Sequence, residues 1–291
     1  MLKLIIGAIM ISFAPVFVKL VSVSPTTSAF YRMLFGGLIL AIIVLQRRDS
    51  LRLNSKVLWG VSLAAFFFTL DLIVWHRSIV YVGPGLSTLL ANFQVFILAF
   101  FGVLFLKEKV SWQFLISVPL ALLGLGLIVF PEWGKLGAQY QLGIIFGLLT
   151  AVVYAAYIIS LRSTRVSETA VSPYVNLAVI SFLTAAMLAV ALLIEKQSFA
   201  IPTLKDGALL AAYALIAQVV GWILISKGLE SVRASLVGLI LLLQPTFAYV
   251  WDILFFDRAL SVLETSGALI ALVAIYLGSV KPEGKGDTVN K

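Results

Sequence analysis

Apolar residues run in long blocks along this chain, and the blocks end at clusters of charge, glycine and proline. A helix that crosses the hydrocarbon core of a bilayer takes about 20 mostly apolar residues. Cutting the chain at its breaks predicts ten such helices, near 3–23, 29–46, 56–79, 84–106, 112–130, 142–161, 170–194, 206–227, 234–256 and 261–280. The breaks are clear at Arg47 to Lys56, Lys107 to Ser111, Pro131 to Gln141, Arg162 to Thr169, Glu195 to Asp206 and Phe256 to Ser261, and weakest after the first and third spans. Residues 281–291 have nothing to bury, so a mobile cytoplasmic tail is expected there. The pattern predicts an all-α integral membrane protein.

Composition excludes the soluble classes. Hydrophobic residues make up 62% of the chain and charged ones 12%, against roughly 45–50% and about 25% in soluble domains. Lys and Arg number 21 and Asp and Glu 13, but the longest basic run is Arg47-Arg48. The excess therefore reads as a topology signal and not as a nucleic-acid surface. With the N-terminus inside, the cytoplasmic segments hold 14 Lys and Arg and the outer segments hold five, Arg77, Lys135, Lys196, Lys205 and Arg258. That asymmetry predicts a multi-pass protein with both termini cytoplasmic. The first 23 residues carry Lys3 and an apolar stretch with no small-residue cleavage pattern, so an uncleaved first helix is expected. Without cysteine there is no disulfide or thiolate nucleophile, and a single histidine cannot make a two-histidine metal site. No metal or cofactor is expected.

A shift of 150 residues lays the third to fifth spans on the eighth to tenth without a gap. Ala64 meets Ala214, Ile73 meets Ile223, Val82 meets Val232, Leu86 meets Leu236, Gln94 meets Gln244, and Ser111 meets Ser261. Five spans per half is an odd number, so the second half must be upside down relative to the first. Loop charges agree, since Lys107 and Lys109 inside align with Asp257 and Ala259 outside. The expected units are a first repeat over 1–137, a second over 138–280 and the tail 281–291. Two inverted five-helix repeats around a central site are a transporter design, although duplication also builds channels and scaffolds.

Ionisable groups inside a span cost about 2.5–3.5 kcal/mol on insertion scales, so each needs a partner, a wet cavity or an escape to the interface. Lys19, Arg32, Asp71, His76, Arg77 and Asp252 fall in outer helix halves. Lys19 and Arg32 lie close enough to helix ends to snorkel, which leaves both an interface role and a site role open. Asp71 is too short to snorkel. Helical spacing puts Phe68, Asp71, Trp75 and Ser78 on one face, a cavity wall with an acid, an aromatic surface and a hydroxyl, and turns His76 away. Asp71 could instead pair with Lys19 or Arg32, contact a substrate amine, or carry a coupling proton. Asn92 and Gln94, two apart, should face opposite sides. Gln218 with Trp222, Tyr154 with Tyr157, and Gln244 with Trp251 each set polar groups and rings on one stripe, which suits an amphipathic solute or plain interhelical bonding. Pro15, Pro119 and Pro245 remove backbone donors within spans, so Pro15 and Pro245 are candidate hinges. Gly143 and Gly147, Gly36-Gly37, and Gly124 with Gly126 predict close helix approach.

Several blocks resemble a known family. Ser12-Phe13-Ala14-Pro15-Val16-Phe17-Val18-Lys19 and Ala29-Phe30-Tyr31-Arg32-Met33-Leu34 resemble the opening of the EamA-domain branch of the drug/metabolite transporter superfamily. Asp71-Leu72-Ile73-Val74-Trp75-His76-Arg77-Ser78-Ile79 and Ser87-Thr88-Leu89-Leu90-Ala91-Asn92-Phe93-Gln94 are similar to its third- and fourth-span signatures. Phe105 to Ser111 resembles its short loop carrying Glu108, and Leu243-Gln244-Pro245-Thr246-Phe247-Ala248 its ninth-span motif. The resemblance implies a bacterial inner-membrane transporter of an amino acid or similar small metabolite, working as an exporter by alternating access. The chain departs from the family at two places: Arg258 stands where the second repeat usually keeps an acid, and Gln94-Val95 replaces a proline pattern that survives as Gln244-Pro245. No Walker motif supplies direct ATP drive. An intramembrane enzyme built on His76 would need a paired nucleophile, and no G-x-S-x-G elbow is present. A channel remains the other alternative.

Overall fold

The computed structural model describes residues 1–50, 54–106, 112–129, 137–165, 172–229, 241, 243–259 and 261–279. Glu108, the repeat positions Leu236 and Ser111, and the tail 281–291 lie outside the described residues. Among the described residues every regular element is helical: α1 Leu2–Ser12, α2 Ala14–Leu20, α3 Pro25–Arg47, α4 Ser55–Val82, α5 Pro84–Ala91, α6 Gln94–Leu106, α7 Trp112–Val129, α8 Gly137–Arg165, α9 Pro173–Ile194, α10 Leu204–Tyr213, a π-helical stretch Ala214–Gly221, α11 Trp222–Leu229, α12 Leu243–Phe256 and α13 Val262–Ser279. Six stretches are long and apolar enough to cross a membrane: Leu2–Leu20, Pro25–Arg47, Ser55–Val82, Gly137–Ser160, Pro173–Ile194 and Leu204–Ile225. Shorter apolar helices cover Pro84–Leu98, Trp112–Ile128 and Val262–Leu277.

Local chemistry explains where the helices start and stop. Ser24 caps α3 by accepting from the Thr27 N–H at 3.2 Å, with Pro25 in the first turn, where its missing donor costs nothing. Asn54 caps α4 in the same way, accepting from Val57 N–H at 2.8 Å. These caps move the third helix start four residues ahead of the hydropathy boundary at 29, because a polar cap and a proline read as loop by composition. At the end of α4, Gly83 takes φ +88°, a conformation costly for any residue with a Cβ.

Packing partners recur between the two halves of the chain. α4 lies on α8, as α1 lies on α11 and the π-helical stretch; α5 packs on α8, as α12 packs on α1; α4 meets α9, as the π-helical stretch meets α3. The pairs α3 with α9, α5 with α12 and α7 with α13 map onto themselves when the halves are exchanged. Buried apolar side chains form one core around Met33, Leu72, Tyr157 and Leu188 and another around Leu86, Leu90, Ala271 and Ile275. Leu45, Trp59, Leu122, Leu193 and Leu254 stay exposed, as lipid-facing side chains do.

Gly36, Gly37, Gly124, Gly143 and Gly147 permit the close approach predicted for them. A Cβ on Gly143 would come within 2.5 Å of Val82 Cγ1, and one on Gly147 within 2.5 Å of Leu90 Cδ1. At Gly124 the obstruction is backbone, with Ala271 N and Gly267 O both at 2.7 Å. A flexible side chain can yield and a helix backbone cannot, so Gly124→Ala is expected to destabilise by about 1–3 kcal/mol. Thermal unfolding of detergent-solubilised protein reads this effect, and Gly207→Ala, whose added methyl meets nothing closer than 3.7 Å, is the control that should melt like the parent.

Candidate functional site

Two irregularities in the helices shape the centre of the molecule. The first is the break at Asn92 and Phe93 between α5 and α6. Rotation by about 100° per residue would send Asn92 and Gln94 to opposite sides, but the break cancels that rule and both line one cavity. The second is the π-helical stretch Ala214–Gly221, whose i→i+5 bonding resets the register of Gln218 against Trp222. Trp222 lines the cavity, while Gln218 sits behind its wall.

The cavity holds about 380 Å³, within the range of small-molecule sites. Arg32 comes from α3, Phe68, Asp71 and Trp75 from α4, Thr150, Tyr154 and Tyr157 from α8, and Trp222, Ile225 and Gln244 from the second half. Nine of the eleven residues singled out from sequence as substrate contacts are therefore on its wall: Arg32, Asp71, Trp75, Asn92, Gln94, Tyr154, Tyr157, Trp222 and Gln244. Phe68 and Tyr157 stack at 4.5 Å between ring centroids and Tyr154 and Tyr157 at 5.8 Å, which makes a continuous aromatic surface beside the charged groups.

Asp71 and Arg32 are both buried, 4% exposed each, yet neither forms an ion pair among the described residues. Asp71 therefore makes no direct pair with Lys19 or Arg32, although the Arg32 charge acts on it through space. Lys19 reaches Asp252 at 3.5 Å instead, and Arg32 donates from Nε to Gln218 Oε1 at 3.1 Å and from Nη1 to the Tyr213 hydroxyl at 2.9 Å. Among the described residues the Asp71 Oδ1, Trp75 Nε1 and Gln94 Oε1 atoms have no hydrogen-bond partner. Buried polar atoms are ordinarily paired, so these three are free to meet water or a polar solute in the cavity.

Other predicted side chains serve elsewhere. Ser78 shares the Asp71 face but donates to Gly143 O at 2.8 Å, filling the contact that Gly143 opens. Trp251 leaves the Gln244 stripe, since its Nε1–H donates to Ser12 Oγ at 2.8 Å and its ring stacks on Phe13 at 4.4 Å. His76 points away from the cavity, as its spacing predicts, with Nδ1 at 3.0 Å from Pro25 O and Nε2 at 3.1 Å from Tyr213 OH. Both ring nitrogens are thus engaged, which leaves none for a serine nucleophile. The break in the first span falls at Phe13, and Pro15 lies in the first turn of α2, where it frees the Ile11 carbonyl. Pro119 stays inside an unbroken α7. Pro245 sits in the first turn of the described α12.

A second polar cluster ties one end of the bundle. Asp252, fully buried on α12, receives Lys19 Nζ at 3.5 Å, Arg258 Nη1 at 3.0 Å and the Gly85 N–H at 3.2 Å. Arg258 also donates to Val82 O at 2.6 Å and pairs with Glu264. Burial works against the Arg258 charge, but Glu264, Tyr249 and Asp252 outweigh it and raise its pKa above the ordinary arginine value. At the same end Arg77 meets Glu195 at 2.7 Å, Thr26 donates to Glu195 at 2.9 Å, and the Ser22 N–H donates to Asp206 at 2.8 Å. The aligned position of Arg258 carries an acid in the first repeat, and the reversal is now explained: Asp252 supplies the acid and Arg258 answers it. Hydropathy had marked Asp252 as costly, but no spacing linked it to Arg258 or to Lys19, which lies far away in the chain.

A family model described as the EamA-like transporter family matches residues 1–130 and 141–280. No curated protein matches the chain. Among solved structures 27 chains match. One, described only as the crystal structure of a protein, is 14% identical and covers 95% of each chain with a TM-score of 0.68, a likeness that speaks for the fold alone.

Proposed function

The chain belongs to the EamA-like transporter family, and from that premise we propose that it exports a small zwitterionic metabolite, an amino acid or close analogue, by alternating access. The observation that carries the reading is the pair of opposite charges on one cavity wall, Arg32 and the unpaired Asp71, beside the aromatic surface of Phe68, Tyr154 and Tyr157. Arg32 takes the carboxylate, Asp71 takes the ammonium, and the rings take an apolar side chain. The amides of Asn92, Gln94 and Gln244 complete the polar lining. Asp71 is also the group that could carry a coupling proton in place of the substrate ammonium.

In this reading the chain forms ten spans in two inverted repeats, 1–137 and 138–280, with both termini in the cytoplasm of a bacterial inner membrane. The exchange symmetry of the helix packing supports the two-fold repeat, and the odd number of spans per half supports its inversion. In this topology the ion pairs of Asp252 and Arg77 lie toward the outer end, and Ile158, Ile225 and Leu241 of the cavity wall lie toward the inner one. Switching outward requires those ion pairs to part.

Counterflow into proteoliposomes with a pooled amino-acid mixture, read by mass spectrometry, tests the function. Saturable accumulation of zwitterions with apolar side chains is expected. Accumulation of amines or acids alone would overturn the two-charge reading, and non-saturating flux would make the protein a channel.

A further inference from the structure

Arg32 is held from behind by a chain of side chains whose proton order follows from hydrogen-bond chemistry. The Pro25 carbonyl oxygen can only accept, so His76 Nδ1 carries the proton in the 3.0 Å contact between them. The ring's Nε2 then accepts from the Tyr213 hydroxyl at 3.1 Å. The Tyr213 oxygen in turn accepts from Arg32 Nη1 at 2.9 Å. The opposite order would place a histidinium and a guanidinium on one hydroxyl in a dry interior, where like charges repel strongly. All three side chains are buried, with His76 and Tyr213 fully so.

Gln218 completes the hold. Its Oε1 accepts from Arg32 Nε at 3.1 Å, and its Nε2 donates to Ser181 Oγ at 3.4 Å. Gly36, one turn along α3 from Arg32, leaves the room for this, since a Cβ there would lie 2.6 Å from Gln218 Cγ. The guanidinium is therefore fixed at Nε and Nη1, while Nη2 makes no hydrogen bond among the described residues.

We propose that Tyr213, oriented by His76, is a positioning residue that aims Arg32 Nη2 into the cavity as the contact for the anionic group of the cargo. The proposal rests on the zwitterion reading for the identity of that group. It assigns Tyr213 a function without its touching the cargo, and it gives His76 a role that is neither catalytic nor a direct substrate contact.

Two measurements test it. In counterflow, Tyr213→Phe is expected to raise KM for a free amino acid about tenfold, the loss of one hydrogen bond to a charged group, with kcat little changed. The same variant should leave transport of the corresponding amino-acid amide, which lacks the carboxylate, at its parental KM. A purely structural tyrosine would impair both substrates alike, and that result overturns the proposal. His76→Gln, which keeps an acceptor for the Tyr213 hydroxyl, should stay near the parent, whereas His76→Leu should match Tyr213→Phe.

The second measurement needs no substrate. Nitrogen-15 NMR of arginine-labelled protein should show separate Nη resonances for Arg32, identified by their absence in Arg32→Lys, and these should merge in Tyr213→Phe as the guanidinium begins to rotate. Unchanged resonances would overturn the positioning role even if every amino acid is transported. If no amino acid is transported but the resonances merge, the cargo assignment fails and Tyr213 remains the residue that fixes Arg32.

Discussion

Asp71→Asn is expected to reduce saturable counterflow of a zwitterionic cargo by about 30-fold or more, because losing one partner of a buried charge pair costs about 2–5 kcal/mol. The fold should survive the change. Asp71 forms no direct ion pair and its Oδ1 has no hydrogen-bond partner among the described residues, so an isosteric amide breaks no contact, and Arg32 keeps its hydrogen bonds to Gln218 and Tyr213. The melting temperature is therefore expected to hold or rise, the reverse of what a structural salt bridge would show. If Asp71 also carries the coupling proton, the residual transport of Asp71→Asn should be independent of pH across the range where the parent varies. A residual activity that keeps the parental pH profile would remove the proton role, and an unchanged KM for the zwitterion would remove the ammonium contact as well.

Asp252→Ala is expected to have the largest effect on stability and to open the outer side. The carboxylate is fully buried and answers two cations and the Gly85 N–H, and deleting one member of such a set costs about 3–5 kcal/mol by stranding the others. Lys19 is one-third exposed and can escape to the interface, so Arg258, held by Val82 O and Glu264, is the cation left inside. The absence of native cysteine gives a clean probe. A Thr88→Cys substitution on the cavity wall should react slowly with a membrane-impermeant maleimide from outside in the parent and several-fold faster when Asp252→Ala is added. Lower melting temperature without faster labelling would make the cluster a structural tie and not a gate. The Lys19→Met variant, which leaves the Asp252 to Arg258 pair intact, should change both readouts far less.

The two charged centres were legible in the sequence to different degrees. Asp71 could be placed with Trp75, and Tyr154 with Tyr157, because regular helices carry residues three and four apart on one face and α4 and α8 are regular there, while only the packing of α4 on α8 brought the two pairs together. Asn92 beside Gln94, and Gln218 away from Trp222, could not be read, since both sit at departures from the α-helical period that no hydropathy pattern announces. Tyr213 carried a signal only in retrospect: it is a tyrosine among apolar residues, five before Gln218, and its value lies in two hydrogen bonds to helices far away in the chain.

Composition and period alone determined that this is a helical membrane protein, roughly where its long apolar segments lie and that its halves are related, because lipid imposes length and polarity on every segment independently of its neighbours. The EamA resemblance followed from the same local blocks. Tertiary structure decided the partners of the charges. Lys19 and Arg32 had equal claims on Asp71 by position, and the fold sent one to Asp252 and the other to Tyr213 and Gln218. Pairing between distant helices depends on their contact geometry at the scale of a hydrogen bond, and no one-dimensional pattern encodes that distance.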